Sequence, residues 1–194
     1  MAIPADKVVT PPALTDEGPR KKWVDQAART TAVLAVLAAI SSGQYANQFS
    51  HTILAQAEAS DEWSYYQAKS IKRHLVNGQA ELAAALEVAT KPDAVAKLEA
   101  WRQQSAAEAK RYDAELAAIK SKAEAVEAKK IHHGQQGFWF QIAFAVLQAG
   151  VVLSTIAASS RRRELWVVAI LCGLLGAAIA ANGMLLVIPA PAGI

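Results

Sequence analysis

The sequence predicts an all-α membrane protein: three transmembrane helices, with a long extramembrane antiparallel helical hairpin between the first and second spans. Three observations predict it. Asp, Glu, Lys and Arg are absent from 30–57, 131–160 and 165–194, gaps of 28, 30 and 30 residues in a chain of 194. A helix needs about 20 mostly apolar residues to cross about 30 Å of hydrocarbon, so each gap is long enough. Between the first two gaps lies a segment rich in Ala, Glu, Lys, Leu and Gln, all strong helix formers, with Pro92 near its middle. The three spans take up residues that a catalytic domain of about 100–150 residues would need. The pattern therefore specifies an architecture and names no reaction.

Residues 1–22 hold Asp6, Asp16, Glu17 and four prolines, unlike the basic start and short apolar core of a secretory signal, and are expected to form a disordered cytoplasmic tail. The first transmembrane helix is placed at 23–51. Its apolar part runs from Thr30 to Ile40, and the polar residues that follow leave it marginal as an isolated span. The second occupies 136–160 and opens on the aromatic belt Phe138-Trp139-Phe140; the third occupies 165–188, with Trp166 at its start and a tail at 189–194. Together with Trp23, these rings suit the interface, where an apolar body meets lipid while the N–H stays wet.

Orientation follows from basic residues beside the spans. Arg20, Lys21 and Lys22 precede the first span, and Arg161, Arg162 and Arg163 lie in the short turn 161–164. Short basic loops stay on the cytoplasmic side. If the first span crosses, both clusters fall on that side and the hairpin stands opposite; if it does not, they fall on opposite sides. The net charge of +3 is concentrated at these flanks, since the stretch from Glu58 to Lys130 holds 12 acidic and 12 basic residues. That distribution excludes the concentrated cationic surface a nucleic-acid partner requires. Membrane lipid is the partner it suits. The lone Cys172 forms no internal disulfide and no zinc cluster, and reads as a small apolar residue of a packed helix.

The hairpin is expected over 52–135 with its turn at 91–93. Its arms, 52–90 and 94–133, have 39 and 40 residues, each about 60 Å of helix. Equal arms suit a segment that leaves a membrane and returns. The second arm carries a heptad through Val95, Leu98, Arg102, Ser105, Ala109, Tyr112, Leu116, Ile119, Ala123 and Val126. The first arm places Ile71, Leu75, Leu82 and Leu86 on one face, and the obvious partner of each arm is the other. An alanine-rich seam buries little area, so further arms, from other copies or another membrane protein, are expected to complete the packing. The expected contact residues are Trp63, Tyr65, Tyr66, Leu98, Tyr112, Leu116 and Ile119.

Polar residues within the spans fall into rows. Ser41, Gln44, Gln48 and His51 share one face of the first span; Gln141, Gln148 and Thr155 share one face of the second; Asn182 lies towards the outer end of the third. Amides in lipid seek partners, so these rows read as glue between helices, with a wetted path for a small solute as the alternative. A pore usually carries an intramembrane charge, and these spans have none. Rows of small residues, Ala35, Ala39 and Gly43 in the first span and Ala169, Gly173 and Ala177 in the third, predict close helix packing.

Catalysis needs convergent groups with tuned pKa values. Glu58, Asp61 and Glu62 form an acidic cluster beside Trp63 and Tyr66, and read as a solvated face. His51, His132 and His133 lie where the hairpin leaves and re-enters the membrane, but adjacent histidines on a helix point about 100° apart and rarely share one ion. No nucleophile triad, Gly-rich phosphate loop or CxxC motif occurs. No catalytic, cofactor-binding or metal-ligating residue is assigned.

The segment Ser60-Asp-Glu-Trp-Ser-Tyr-Tyr-Gln-Ala-Lys-Ser-Ile-Lys72 resembles the bacterial membrane proteins grouped as domain of unknown function 4337. The lead-in from Thr30 to Ser42 and the closing pair of spans with basic residues between them are similar too, and the likeness covers Trp23 to Ile188. The most specific part is the core from Trp63 to Lys69. The resemblance implies a multi-pass bacterial inner-membrane protein; with the N-terminus placed in the cytoplasm by the basic flanks, the hairpin is expected in the periplasm. It implies no activity and transfers no catalytic residue.

The resulting expectation is a non-enzymatic membrane scaffold or accessory subunit that self-associates or docks a partner through the hairpin. Two alternatives stand beside it: a small oligomeric channel or transporter lined by Gln44, Gln48 and Gln141, and an accessory subunit of a larger membrane enzyme.

Overall fold

The computed structural model describes residues 18–87 and 91–191. Most of the expected tail over 1–22, and the end of the one at 189–194, lie outside the described residues. Among the described residues all regular structure is helical: α1 (Gly18–Glu87, 70 residues), α2 (Pro92–Ser160, 69 residues) and α3 (Arg163–Leu185, 23 residues). Each helix contains a stretch long and apolar enough to cross a membrane. Neither α1 nor α2 breaks where the sequence changes from apolar to charged, because Ala, Glu, Lys, Leu and Gln continue the helix on both sides of that change.

The helix ends follow from local chemistry. Pro92 is the first residue of α2, where its missing N–H costs nothing, and the Ala94 N–H closes the turn onto the Lys91 carbonyl at 3.0 Å. At the end of α2, Arg161 takes a left-handed conformation (φ 55°), and the Arg162 N–H reaches back to the Ala157 carbonyl at 3.2 Å. At the end of α3, Leu186 does the same (φ 48°) and its N–H bonds the Asn182 carbonyl at 2.7 Å. Asn182 then grips the outgoing chain with both amide atoms, donating to the Ile188 carbonyl (3.1 Å) and accepting from its N–H (2.9 Å). A left-handed non-glycine residue costs roughly 1–2 kcal/mol, which the recaptured helix-end carbonyls help to offset.

The chain divides into two compact units: Met1–Ser41 with Ile142–Ile179, and Ser42–Gln141 with Ala180–Ile194. In the first unit, α1 buries Ala27, Leu34, Ala38 and Ser41. Leu34, Ala38 and Leu147 form a cluster, with Leu37, Phe144 and Val151 packed against it. Glycine makes room for it. A Cβ on Gly150 would stand 3.2 Å from the Ala169 carbonyl and 3.3 Å from Leu34; one on Gly176 would stand 2.6 Å from Cγ of Leu147. The small residues of α3 therefore divide: Ala169 and Gly173 are buried, and Ala177 is exposed. The row expected on the first span is overturned. Ala35 and Ala39 are exposed, and a Cβ on Gly43 would meet nothing within 4 Å. Leu34 sets the contact instead, because its bulk fills the space beside Gly150 and Gly173.

In the second unit, α1 and α2 meet along a seam of alternating three- and four-residue steps. On α2 it uses the predicted heptad: Ser105, Ala109, Tyr112, Leu116, Ala123 and Val126 are buried, Val95, Leu98 and Ile119 half-buried, and Arg102 exposed. On α1 it runs through Thr52, Ala55, Ala59, Glu62, Tyr66, Lys69, Arg73, Val76, Ala80, Ala83 and Glu87, every one buried or half-buried. Contacts between the two segments pair rising numbers with falling ones: Gln48 with His133, Glu62 with Lys122, Lys69 with Glu115, Arg73 with Asp113. The expected inner face of the first arm is therefore corrected. Ile71, Leu75, Leu82 and Leu86 all face outward. The reason is register. Along α1 in this unit the three-four count continues unbroken from Thr52 to Glu87, and Ile71 sits two residues, about 200°, from both Lys69 and Arg73.

Candidate functional site

The richest constellation of side chains lies in the second unit around Lys69. The alkyl stem of Lys69 enters the seam, and its ammonium pairs with the Glu115 carboxylate. It also stands 5.7 Å from the ring of Tyr65 and 5.2 Å from that of Tyr112, within cation–π range. The Tyr112 hydroxyl donates to Glu108 at 3.2 Å, and Arg111 lies 5.3 Å over the same ring while pairing with Glu108 and Glu115. One turn along α1, Arg73 donates to Asp113 at 3.0 Å; one turn back, Trp63 and Tyr66 meet edge to face at 5.7 Å. The bond to Glu115 holds the Lys69 ammonium above its usual range, and Lys69 in turn holds the Glu115 carboxyl below its own; burial opposes both. Glu62, from the acidic cluster, pairs with Lys122 and raises its pKa.

The predicted contact residues thus divide by role. Tyr112 and Leu116 are buried in the seam, Leu98, Ile119, Trp63 and Tyr66 are half-buried along it, and Tyr65 is exposed with Lys69 against its ring. Counting large apolar residues misses Lys69, Arg73 and Glu115. The signal that finds them is the three-four count carried down α1 from Thr52, Ala55 and Ala59, which lands on Lys69 and Arg73 whatever their polarity.

A second cluster lies nearer the apolar stretches of the same unit. His133 Nδ1 donates to the Gln48 amide oxygen at 2.8 Å, and its ring stacks on His51 with centroids 5.0 Å apart. His132 meets His133 edge to face at 5.8 Å. Burial pushes His133 below its ordinary value, and the charges of His51, His132 and Lys129 add to that push. Among the described residues, no three of His, Cys, Asp and Glu converge as a metal-binding set. Beside this cluster a groove of about 440 Å³ is lined by Tyr45, Phe49, Thr52, Ile131, Phe138 and Gln141, with Lys130 at its rim.

The predicted intramembrane polar residues separate in the same way. Gln48 is tied to His133, and Asn182 is engaged with its own chain at Ile188. Gln44 is half-buried, while Gln141 is exposed. In the first unit Ser41 is buried and Gln148 is exposed. The polar contacts of that unit come from residues the rows of amides did not include. The buried Ser154 donates to the Ala27 carbonyl at 3.1 Å and accepts from Thr31 at 2.9 Å, and Trp166 Nε1 donates to Thr30 at 3.2 Å. A groove of about 360 Å³ between Leu34, Leu37, Ile170 and Gly173 opens beside Arg29.

The seam joins α1 to α2 within the second unit through opposed ion pairs. No curated protein and no solved structure matches the chain. A family does: residues 23–186, from the Trp23 flank through the Lys69 constellation to the end of α3, match Domain of unknown function (DUF4337), and the chain belongs to that family.

Proposed function

We propose that this chain is a non-enzymatic, membrane-anchored scaffold or accessory subunit of a bacterial inner membrane. Its three apolar stretches cross the bilayer, its N-terminus and the Arg161–Arg163 turn lie in the cytoplasm, and an antiparallel hairpin formed by α1 and α2 stands in the periplasm. One observation carries the reading: charge-free stretches long enough to span lipid lie within the same helices that pair through charged residues farther along. Lipid suits the first kind of surface, and water suits the second. The opposed ion pairs, the edge-to-face contact of Trp63 with Tyr66 and the Lys69 ammonium over the Tyr112 ring favour a rigid post that presents a surface to another protein.

Cysteine labelling in a Cys172→Ala background tests it. Lys91→Cys and Arg162→Cys are expected to react from opposite sides of sealed vesicles. Reaction of both from one side overturns the topology, and release of the chain from membranes by salt alone overturns the anchor.

A further inference from the structure

The outward face of α1 is itself a coiled-coil seam. Ala68, Ile71, Leu75, Gly78, Leu82 and Ala85 follow one another at steps of three, four, three, four and three, and all are exposed. Ile71, Leu75 and Leu82 keep 61%, 62% and 54% of their surface open, and a Cβ on Gly78 would meet nothing within 4 Å. Regular heptad spacing is what a partner helix reads, whereas scattered exposed hydrophobes carry no such order. A row of this kind standing in water marks an interaction surface.

We infer that this face is where copies of the chain associate, α1 against α1, parallel and in register. The inference rests on the membrane-anchored reading, because copies that share one bilayer orientation present their α1 segments parallel. Three observations select a second copy as the occupant. In that arrangement the flanking positions pair Gln67 with Lys72, His74 with Gln79 and Glu81 with Leu86 across the interface, so no like charges meet. The outward face of α2 offers no matching row: around Ala100, Ala107 and Ala114 it carries alanine, glutamine and lysine, with Trp101 as its large apolar residue. The seam's complement within this chain type is therefore the seam itself. Its 18 residues, about 26 Å of helix, are short for free peptides. Copies already aligned by a common membrane meet at high effective concentration, which offsets that shortness. Leucines at 75 and 82 with isoleucine at 71 follow the order that favours more than two strands.

The test uses the full chain with Cys172→Ala, reconstituted in lipid vesicles. Leu75→Cys is expected to give a disulfide-linked pair of chains on mild oxidation, and Ala107→Cys on the outward face of α2 is expected to give none. Leu75→Asp with Leu82→Asp places charges where the single chain is already open to solvent, so helix content by circular dichroism stays at the parent level. The mass in mild detergent is expected to fall from that of several copies to that of one. A parent chain with single-chain mass and no crosslink at position 75 overturns the inference, as does crosslinking at 75 to a different protein when the same oxidation is run in the native membranes. Lys91 and Arg162 labelling judges the membrane reading separately, so failure of the topology is distinguishable from failure of the interface.

Discussion

Lys69 and Ile71 are two residues apart on α1 and face opposite ways: the Lys69 ammonium pairs with Glu115 across the seam with α2, while Ile71 stays open to solvent. A cation therefore occupies the inner seam and an aliphatic residue the outer face, the reverse of what polarity alone assigns. Lys69 is stable there because its stem packs along the seam while its head finds a carboxylate and two aromatic rings.

This inversion predicts unequal costs for similar truncations. Leu116, 4% exposed, is expected to lose about 2–5 kcal/mol of stability as Leu116→Ala. Ile71→Ala in the dispersed single chain is expected to change stability by no more than about 0.5 kcal/mol. Denaturant titration in mild detergent checks both, and equal losses would contradict the outward placement of Ile71.

Acid is expected to weaken the seam through Glu115. Its folded carboxyl titrates below the usual 4.5, so its contribution is fully present above that value and is lost as pH falls through the folded pKa. Thermal midpoints between pH 7 and pH 3 should decline less steeply in Glu115→Gln than in the parent chain. Parallel declines would show that the Lys69 pairing adds nothing to folding.

His133 responds in a higher window. Its folded pKa lies below 6.5, so the folded chain holds a neutral ring where the unfolded chain binds a proton. The stability linked to it is present above 6.5 and falls as pH drops from there towards the folded pKa. Titration of the ring by NMR should give a midpoint below 6.5, and amide protection near Gln48, taken relative to the free-chain exchange rate at each pH, should fall from pH 7 to pH 5.5 in the parent but not in His133→Phe. A midpoint above 6.5 would contradict the burial that stacks the ring on His51.

Glycine substitutions separate crowded from open positions. Gly176→Ala drives a Cβ to within 2.6 Å of Cγ of the fully buried Leu147 and is expected to cost about 1–3 kcal/mol. Gly134→Ala meets nothing within 4 Å in the middle of α2 and is expected to stabilise by about 0.5–1 kcal/mol. Opposite signs in one thermal-unfolding series check the packing of Gly176 against Leu147.

Much of this molecule was legible in its residues. The three apolar stretches, the helix break before Pro92, the seam of α2 from Ser105 to Val126 and the family all follow from charge gaps, one proline, a heptad count and the core from Trp63 to Lys69. Those features are written in local chemistry. What only the tertiary structure decided is which face of α1 turns inward. Residue by residue, Ile71, Leu75 and Leu82 outrank Lys69, Arg73 and Glu62 as buried groups. Within the second unit α1 runs unbroken from Thr52 to Glu87 and keeps one three-four count, and α2 presents Glu115, Asp113 and Lys122 opposite the polar face. Continuity of one helix and complementary charge on another are not local to any window of sequence, and together they outweigh the hydrophobic preference of three side chains.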